Sequence, residues 1–344
     1  MPTDAPDSPA TSTPSVATAT TVRRSGKLRE ILENSLGLAA VLALLIGLFS
    51  FKTAHFFSAT TFQAIANEIP TAIFIAVGMT FVLIIGGIDL SVGSVLALGA
   101  GVFGTASVQW HWPLWAATLA CIGTGALCGL LNGVLTIRFQ LPSFIVTLGM
   151  LEAARGATYL VTNSQTMYIG PAAERINELS LFGLTFPFLA AVALAVVAQI
   201  VLTGTVFGRY LIALGTNEEA VRLSGIDPRP IRLWVFTLSG ALAAVGGISY
   251  CAQLSSADPN AGSGFELAAI AAVVIGGTSL MGGRGSVINS LFGVLIIAVL
   301  GSGLAQIGAQ ESVKRMVTGA VIIVAVIVDF YRTRYAQNAA RAAR

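Results

Sequence analysis

Apolar runs of about 20 residues, separated by short polar breaks, recur along this chain from Leu36 to Asp329. Roughly 20 helical residues cross a hydrocarbon core of about 30 Å. Backbone amides and carbonyls find no partners in lipid unless a helix or a closed barrel satisfies them internally. The runs therefore restrict the chain to an all-α, polytopic membrane protein. About ten spans are expected, over 34–51, 65–86, 92–109, 113–135, 142–161, 185–206, 231–252, 265–281, 286–306 and 313–330. Composition agrees: 10% of the 344 residues are charged, against about 25% in soluble domains.

Orientation follows from the basic residues, which accumulate in cytoplasmic loops. Arg23, Arg24, Lys27 and Arg29 precede the first span, and Arg138 follows the fourth. Arg209, Arg222, Arg229 and Arg232 lie between the sixth and seventh, Arg284 follows the eighth, and Arg332 and Arg334 follow the tenth. With ten spans all of these fall on the cytoplasmic side together with both termini, while Lys52, Arg175, Lys314 and Arg315 fall on or near the other face.

Residues 1–33 begin with a Pro-, Ser-, Thr- and Ala-rich stretch and read as a disordered cytoplasmic tail. No cleavable signal is expected there, because the positive charges lead into a span that can stay in the membrane. The 34–330 core reads as one transmembrane domain, and 331–344 as a basic tail that holds the last helix at the lipid surface rather than a nucleic-acid-binding segment. Cys121, Cys128 and Cys251 fall inside spans without CxxC spacing, and His55 and His111 are isolated, so neither a metal site nor a redox pair is expected.

Few ionisable groups interrupt the spans, which argues against an ion-coupled carrier. Glu152 and Arg155 stand i,i+3 on the fifth span. They read either as a self-neutralising structural pair or as part of a polar solute's route. The chain also lacks a phosphate-binding GxxxxGK[ST] loop: its one Gly-Lys dipeptide, Gly26-Lys27, has Thr21 where the first glycine belongs. Energy for uphill transport has to come from a partner or a gradient.

Against this apolar background, Gly208–Arg232 is a polar, charge-rich island expected to dock something on the inner face. Asn217, with Glu218 and Glu219 after it, can start a short helix that Gly225 ends ahead of Pro228. Two glycine clusters look alike: Ile85-Gly86-Gly87 leading to Ser94-Val95, and Ile275-Gly276-Gly277 leading to Gly285-Ser286-Val287. Both sit at the inner end of a span, as paired elements near a gate or as chance similarity among small residues. Gly283 and Arg284 belong to the second. In the first, Asp89 is placed to cap the following helix, with Ser91 as an alternative cap; contact with a partner or a solute is the other reading. On the outer face, Gln253–Phe265 carries Ser255, Ser256, Asp258, Asn260 and Ser263, which read as contacts for a released solute or its delivery protein, or as a plain polar loop.

Four ordered segments, GGIDLSVGS, NGVLTIRFQLPSFIVTLGM, GRYLIALGTNEEAVRLSGI and QLSSADPNAGSGFELAAIAAVVIGGTSLMGGRGS, resemble the ribose-type permease family of bacterial ATP-binding-cassette importers. The resemblance covers Leu36 to about Asp329. It implies a type II importer-like permease of the inner membrane, paired with a second permease copy or a paralogue. Its partners would be two cytoplasmic ATPase subunits, which use ATP and Mg, and a periplasmic sugar-binding protein. No cofactor and no covalent chemistry are implied for the chain itself. The segment from Thr216 to Pro228 is similar to the family's coupling helix, with Glu218, Glu219, Ala220 and Gly225 matching its core. A ribose-like pentose or hexose is the implied solute; a nucleoside, a polyol or a branched-chain amino acid is the nearest alternative, and an ion-coupled carrier a more distant one.

Overall fold

The computed structural model describes residues 25–177, 180–324 and 327. Helices account for about three quarters of it. In chain order they are α1 (Ser25–Lys52), α2 (Ala59–Glu68), α3 (Pro70–Ile84), α4 (Val92–Val108), α5 (Leu114–Phe139), α6 (Ser143–Thr162) and α7 (Gly170–Asn177). There follow α8 (Phe186–Gly204), α9 (Val206–Thr216), α10 (Glu218–Leu223), α11 (Pro228–Leu254), α12 (Phe265–Ile275) and α13 (Val287–Gln306). A last helix, α14, runs over 311–324. Two-residue strands form two small antiparallel pairs, one of which joins Met167 to Ala257 and Tyr168 to Ser256.

The long helix α11 is the centre of the molecule, packed on α5, α3 and α4. In lipid there is no hydrophobic gain from bringing two helices together, so close packing of backbones has to supply it, and that needs small residues. Gly125, Gly129 and Gly133 recur every fourth residue along α5 and face α11. A Cβ on Gly125 would stand 2.3 Å from the carbonyl oxygen of Gly240, and one on Gly129 2.1 Å from that of Phe236. Cys121 continues the same face, its thiol donating to the Ala244 carbonyl oxygen at 3.3 Å.

Each of the ten expected segments holds a helix. Among the described residues six helices, α1, α5, α6, α8, α11 and α13, are long and apolar enough to cross a membrane alone, and a seventh span results if α2 and α3, bent by 49° at their junction, count as one. The polytopic, all-α class is therefore as expected, while two boundaries need correction. Helix α1 begins at Ser25, inside the segment read as a tail, and residues 1–24 and 328–344 lie outside the described residues. The expected span 265–281 stops at Ile275, because Gly277 takes up the left-handed conformation at φ +82°.

That early stop leaves α12 with 11 residues, about 16 Å and half a hydrocarbon core. The missing outer half is a stretch of tight turns that leads from the end of α11 and puts Gly262 against Gly93, in the first turn of α4. Helix α4 is the counterpart: it starts at Val92, within the protein, and 85–91 supplies its missing inner portion. Irregular backbone at such depth survives only where protein buries it or a cavity wets it. At the opposite end of α4, Trp110, Trp112 and Trp115 are exposed, as a membrane-interface belt requires.

Candidate functional site

The polar island of Gly208–Arg232 folds into three pieces. Thr205 turns the chain out of α8 and caps α9, accepting from the Gly208 amide at 3.2 Å. Helix α9 then buries Leu211 and Leu214, so the first half of the island is an amphipathic helix and not a free polar loop. Asn217 caps α10, its Oδ1 accepting from the Ala220 amide at 3.0 Å, with Glu218 and Glu219 in the first turn. At the other end the Gly225 amide donates to Arg222 O (3.0 Å) and the Ile226 amide to Val221 O (3.3 Å), a Schellman closure that requires the left-handed φ of +81° found at Gly225. Asp227 then caps α11 at Arg229.

Two side-chain pairs stiffen this unit. Glu219 accepts from Arg222 at 2.9 Å on the surface, and Glu218 pairs with Arg232, tying α10 to α11. Exposed pairs of this kind contribute only about 0–1 kcal/mol. The larger constraint is steric, at the hinge behind α10. A Cβ on Gly215 would lie 1.8 Å from the Ile84 carbonyl oxygen and 2.5 Å from the Gly283 amide nitrogen. The Gly283 amide itself donates to Ile84 O at 2.9 Å. The end of α9 therefore meets both look-alike glycine clusters, backbone against backbone.

Those clusters close their helices in different registers. At α3 the left-handed residue is Gly86, with Gly86 and Gly87 amides donating to Leu83 O and Val82 O at 2.9 Å each. At α12 Gly276 is still right-handed and Gly277 takes the left-handed role, the Gly277 and Thr278 amides donating to Val274 O and Val273 O. The shared Ile-Gly-Gly string thus marks the same kind of helix end, offset by one residue. Gly276 is needed for a separate reason: its Cβ would sit 2.5 Å from Asn289 O on α13. Arg284 belongs to the same loop, its carbonyl oxygen accepting from the Ser279 amide.

Asp89 does not cap α4 as expected. Its Oδ1 accepts from the Ser91 amide (3.0 Å) and hydroxyl (2.6 Å), and Oδ2 from the Ser239 hydroxyl of α11 (2.9 Å). Asn132 of α5 donates to the Ser91 hydroxyl at 3.0 Å. Asp89, Ser91, Asn132 and Ser239 are all buried, so the carboxylate ties three elements together inside the protein. The flanking backbone is held from α6: Ile88 N donates to Ser143 Oγ and Leu90 N to Thr147 Oγ1. Beneath the loop lies a cavity of about 330 Å³ whose lining includes Gly87, Gln140 and Arg232. Asp89→Ala would leave the Ser91 and Ser239 groups without their acceptor, at about 1–3 kcal/mol for a buried unsatisfied group. Thermal unfolding of the purified protein is expected to show a lower midpoint for Asp89→Ala and an intermediate one for Asp89→Asn, whose amide oxygen still accepts.

On the outer half, the ion pair expected between Glu152 and Arg155 is not made. The Arg155 guanidinium donates instead to Pro259 O (2.7 Å) and Ala261 O (2.9 Å), pinning the segment before α12 against α6. Tyr159, four residues further on, donates to Asn260 Oδ1 at 2.8 Å. The Asp258 carboxylate accepts from the Asn260 amide at 2.9 Å and shapes a local turn. Ser255 is set apart from them, at the left-handed C-cap of α11, its carbonyl oxygen accepting from Ile169. The segment read as an outer-face loop is thus folded inward along most of its length. Sequence reading passed over Gly215, Ser239 and Asn132, which look like ordinary residues of apolar or small-residue runs, and Tyr159; only the fourfold spacing of Gly125, Gly129 and Gly133 carried a signal for the helix contact.

A family model described as "Branched-chain amino acid transport system / permease component" matches residues 61–326. The chain is similar to a fructose import permease of Rhizobium meliloti, 33% identical over 315 residues that cover 88% of each chain. It is also similar to a ribose import permease of Escherichia coli K12, 39% identical over 296 residues, 84% of this chain and 91% of that one. An L-arabinose ABC transporter permease of Azospirillum brasilense is 31% identical over 313 residues, 90% of this chain and 91% of that one.

Proposed function

Because the chain belongs to the family of branched-chain amino acid transport system permease components, we propose that it is the membrane-spanning subunit of an ATP-binding-cassette importer for a monosaccharide. It is a multi-pass membrane transporter subunit and not an enzyme. The family implies an ATPase and a substrate-binding protein as partners. The observation that carries the sugar reading is the set of relatives, named for fructose, ribose and arabinose, each matched over more than four fifths of this chain. The family description itself favours a second solute class, branched-chain amino acids.

In this reading the chain sits in the inner membrane with both termini cytoplasmic, paired with an identical copy or a paralogue. It binds no cofactor; ATP and Mg act on the ATPase. Helix α10, capped at both ends and joined through α9 to the two glycine clusters, is the lever that the ATPase moves, with Asn217, Glu218, Glu219, Ala220 and Gly225 as its working residues. Gly87, Asp89, Ser91, Gly276, Gly277, Gly283 and Arg284 belong to the inner gate. Closure of the ATPase pair shifts α10, and the packed helices exchange one accessible side for the other.

The test is uptake of labelled D-ribose, D-fructose, L-arabinose and leucine into vesicles holding the permease, its ATPase and its binding protein. Uptake of one sugar that requires ATP and is lost in Gly225→Pro, with the protein still inserted, is the expected result. Sugar uptake that ignores ATP and follows a proton or sodium gradient overturns the importer reading, and uptake of leucine alone moves the solute to the second class.

A further inference from the structure

We infer that a polar strip on α6, completed by the inward-folded segment before α12, lines the solute's water-filled route within the membrane and hydrogen-bonds a neutral polyol as it passes. This rests on the importer reading above. The strip consists of Glu152, Arg155 and Tyr159 on α6, with Asn260, Ser263 and Glu266 beside them. Glu152, Tyr159, Asn260 and Ser263 are exposed on the surface of the chain.

Depth makes that exposure informative. Glu152 and Tyr159 lie 9 and 16 residues beyond Ser143, roughly 14 and 24 Å along a helix about 30 Å long. A charged side chain facing hydrocarbon there costs about 2.5–3.5 kcal/mol on insertion scales. The chain does have lipid-type surface at similar depth: α8 exposes Val196, Val197 and Ile200. The strip, with Leu148 and Leu160 exposed at its margins, sets two carboxylates, a phenol, an amide and a hydroxyl together, groups whose solvation calls for water.

The chemistry then selects the solute. Arg155, the one cation of the strip, commits its Nη1 to the carbonyls of Pro259 and Ala261, so that nitrogen forms part of the wall, and its single positive charge is outnumbered by the two carboxylates of the strip. Glu152 is acceptor-only when ionised, and Glu266 spends one oxygen on the Gly264 amide at 3.2 Å; both favour the hydroxyl donors of a sugar and repel a phosphate or a carboxylate. Between Glu152 and Tyr159, a Cβ on Gly156 would meet nothing within 4 Å, so the helix surface is open at that point of the strip.

Single-cysteine variants in the assembled transporter, with Cys121, Cys128 and Cys251 replaced, test the placement. Gly156→Cys is expected to react with a charged, membrane-impermeant thiosulfonate at least tenfold faster than Val197→Cys on the lipid face. Glu152→Gln is expected to raise the KM for the transported sugar about tenfold and to weaken discrimination against the sugar's phosphate ester. Labelling of Gly156→Cys as slow as that of Val197→Cys overturns the strip whatever is carried. Fast labelling with unchanged KM and discrimination in both Glu152→Gln and Glu152→Ala overturns its contact with the solute. Fast labelling with no sugar taken up by wild type upholds the water-lined strip and sinks the sugar reading instead, so the two failures are distinguishable.

Discussion

Gly215→Val is expected to abolish ATP-driven uptake while leaving the protein inserted and helical. The reason is the absence of room at the end of α9: even an alanine Cβ would stand 1.8 Å from the carbonyl oxygen of Ile84 and 2.5 Å from the amide nitrogen of Gly283. Both neighbours are backbone, so no rotamer change relieves the contact. Either α9 withdraws and takes α10 with it, or the Gly283-to-Ile84 hydrogen bond breaks and the two glycine loops separate. In both cases the path from α10 to the broken spans is interrupted. Uptake in reconstituted vesicles should fall by at least tenfold for Gly215→Ala and to background for Gly215→Val. ATP hydrolysis by the assembled transporter, measured in parallel, should persist and lose its link to transport. Normal coupled uptake in Gly215→Val would remove the junction from the mechanism.

Gly129→Leu is expected to have the larger effect on the fold itself. Helices α5 and α11 touch through backbone at Gly125, Gly129 and Gly240, with would-be Cβ atoms 2.1–2.3 Å from the opposing carbonyl oxygens. A leucine there has to push the two helices apart along their whole contact. Overpacking in a close-packed interior costs about 1–3 kcal/mol even where side chains can yield, and here the obstacle is main chain. Separation would also carry Asn132 away from Ser91 and loosen the Asp89 cluster. The variant should show little folded protein after detergent extraction and a depressed unfolding midpoint. Gly123→Leu, six residues away on the same helix at a position where a Cβ meets nothing within 4 Å, is the comparison and should extract normally. Equal yields from the two would show that the contact contributes little.

These two glycines show where sequence reading succeeds and where it stops. The membrane class, the approximate positions of the helices, the short helix after Asn217 and its closure at Gly225 were legible because each depends on local information: apolar length, a capping side chain, a residue free to take positive φ. Gly215 was not legible, because what makes it irreplaceable is the approach of Ile84 and Gly283, 131 and 68 residues away.

The same distinction explains the corrections. Asp89 sits two residues before Ser91 and next to a helix start, a sequence setting that reads as a cap; the structure turns its second oxygen to Ser239 on α11, 150 residues distant. Glu152 and Arg155 have the spacing of a helical ion pair, yet two carbonyls of a folded-in loop compete for the guanidinium and take it. An apolar run through 265–281 reads as one span because hydropathy sums over residues without regard to direction, whereas the helix ends where Gly277 reverses the backbone.

By itself the sequence determined that this chain lives in a membrane as a bundle of helices, and where one polar helix interrupts them. Those properties come from solvation and from single-residue backbone preferences. Only the tertiary structure decided which backbones touch, which carboxylate is buried among hydroxyls, and which polar groups are left facing outward at membrane depth. Those depend on contacts between residues far apart in the chain, and packing in lipid, where helix association has no hydrophobic drive of its own, is settled by the fit of those contacts.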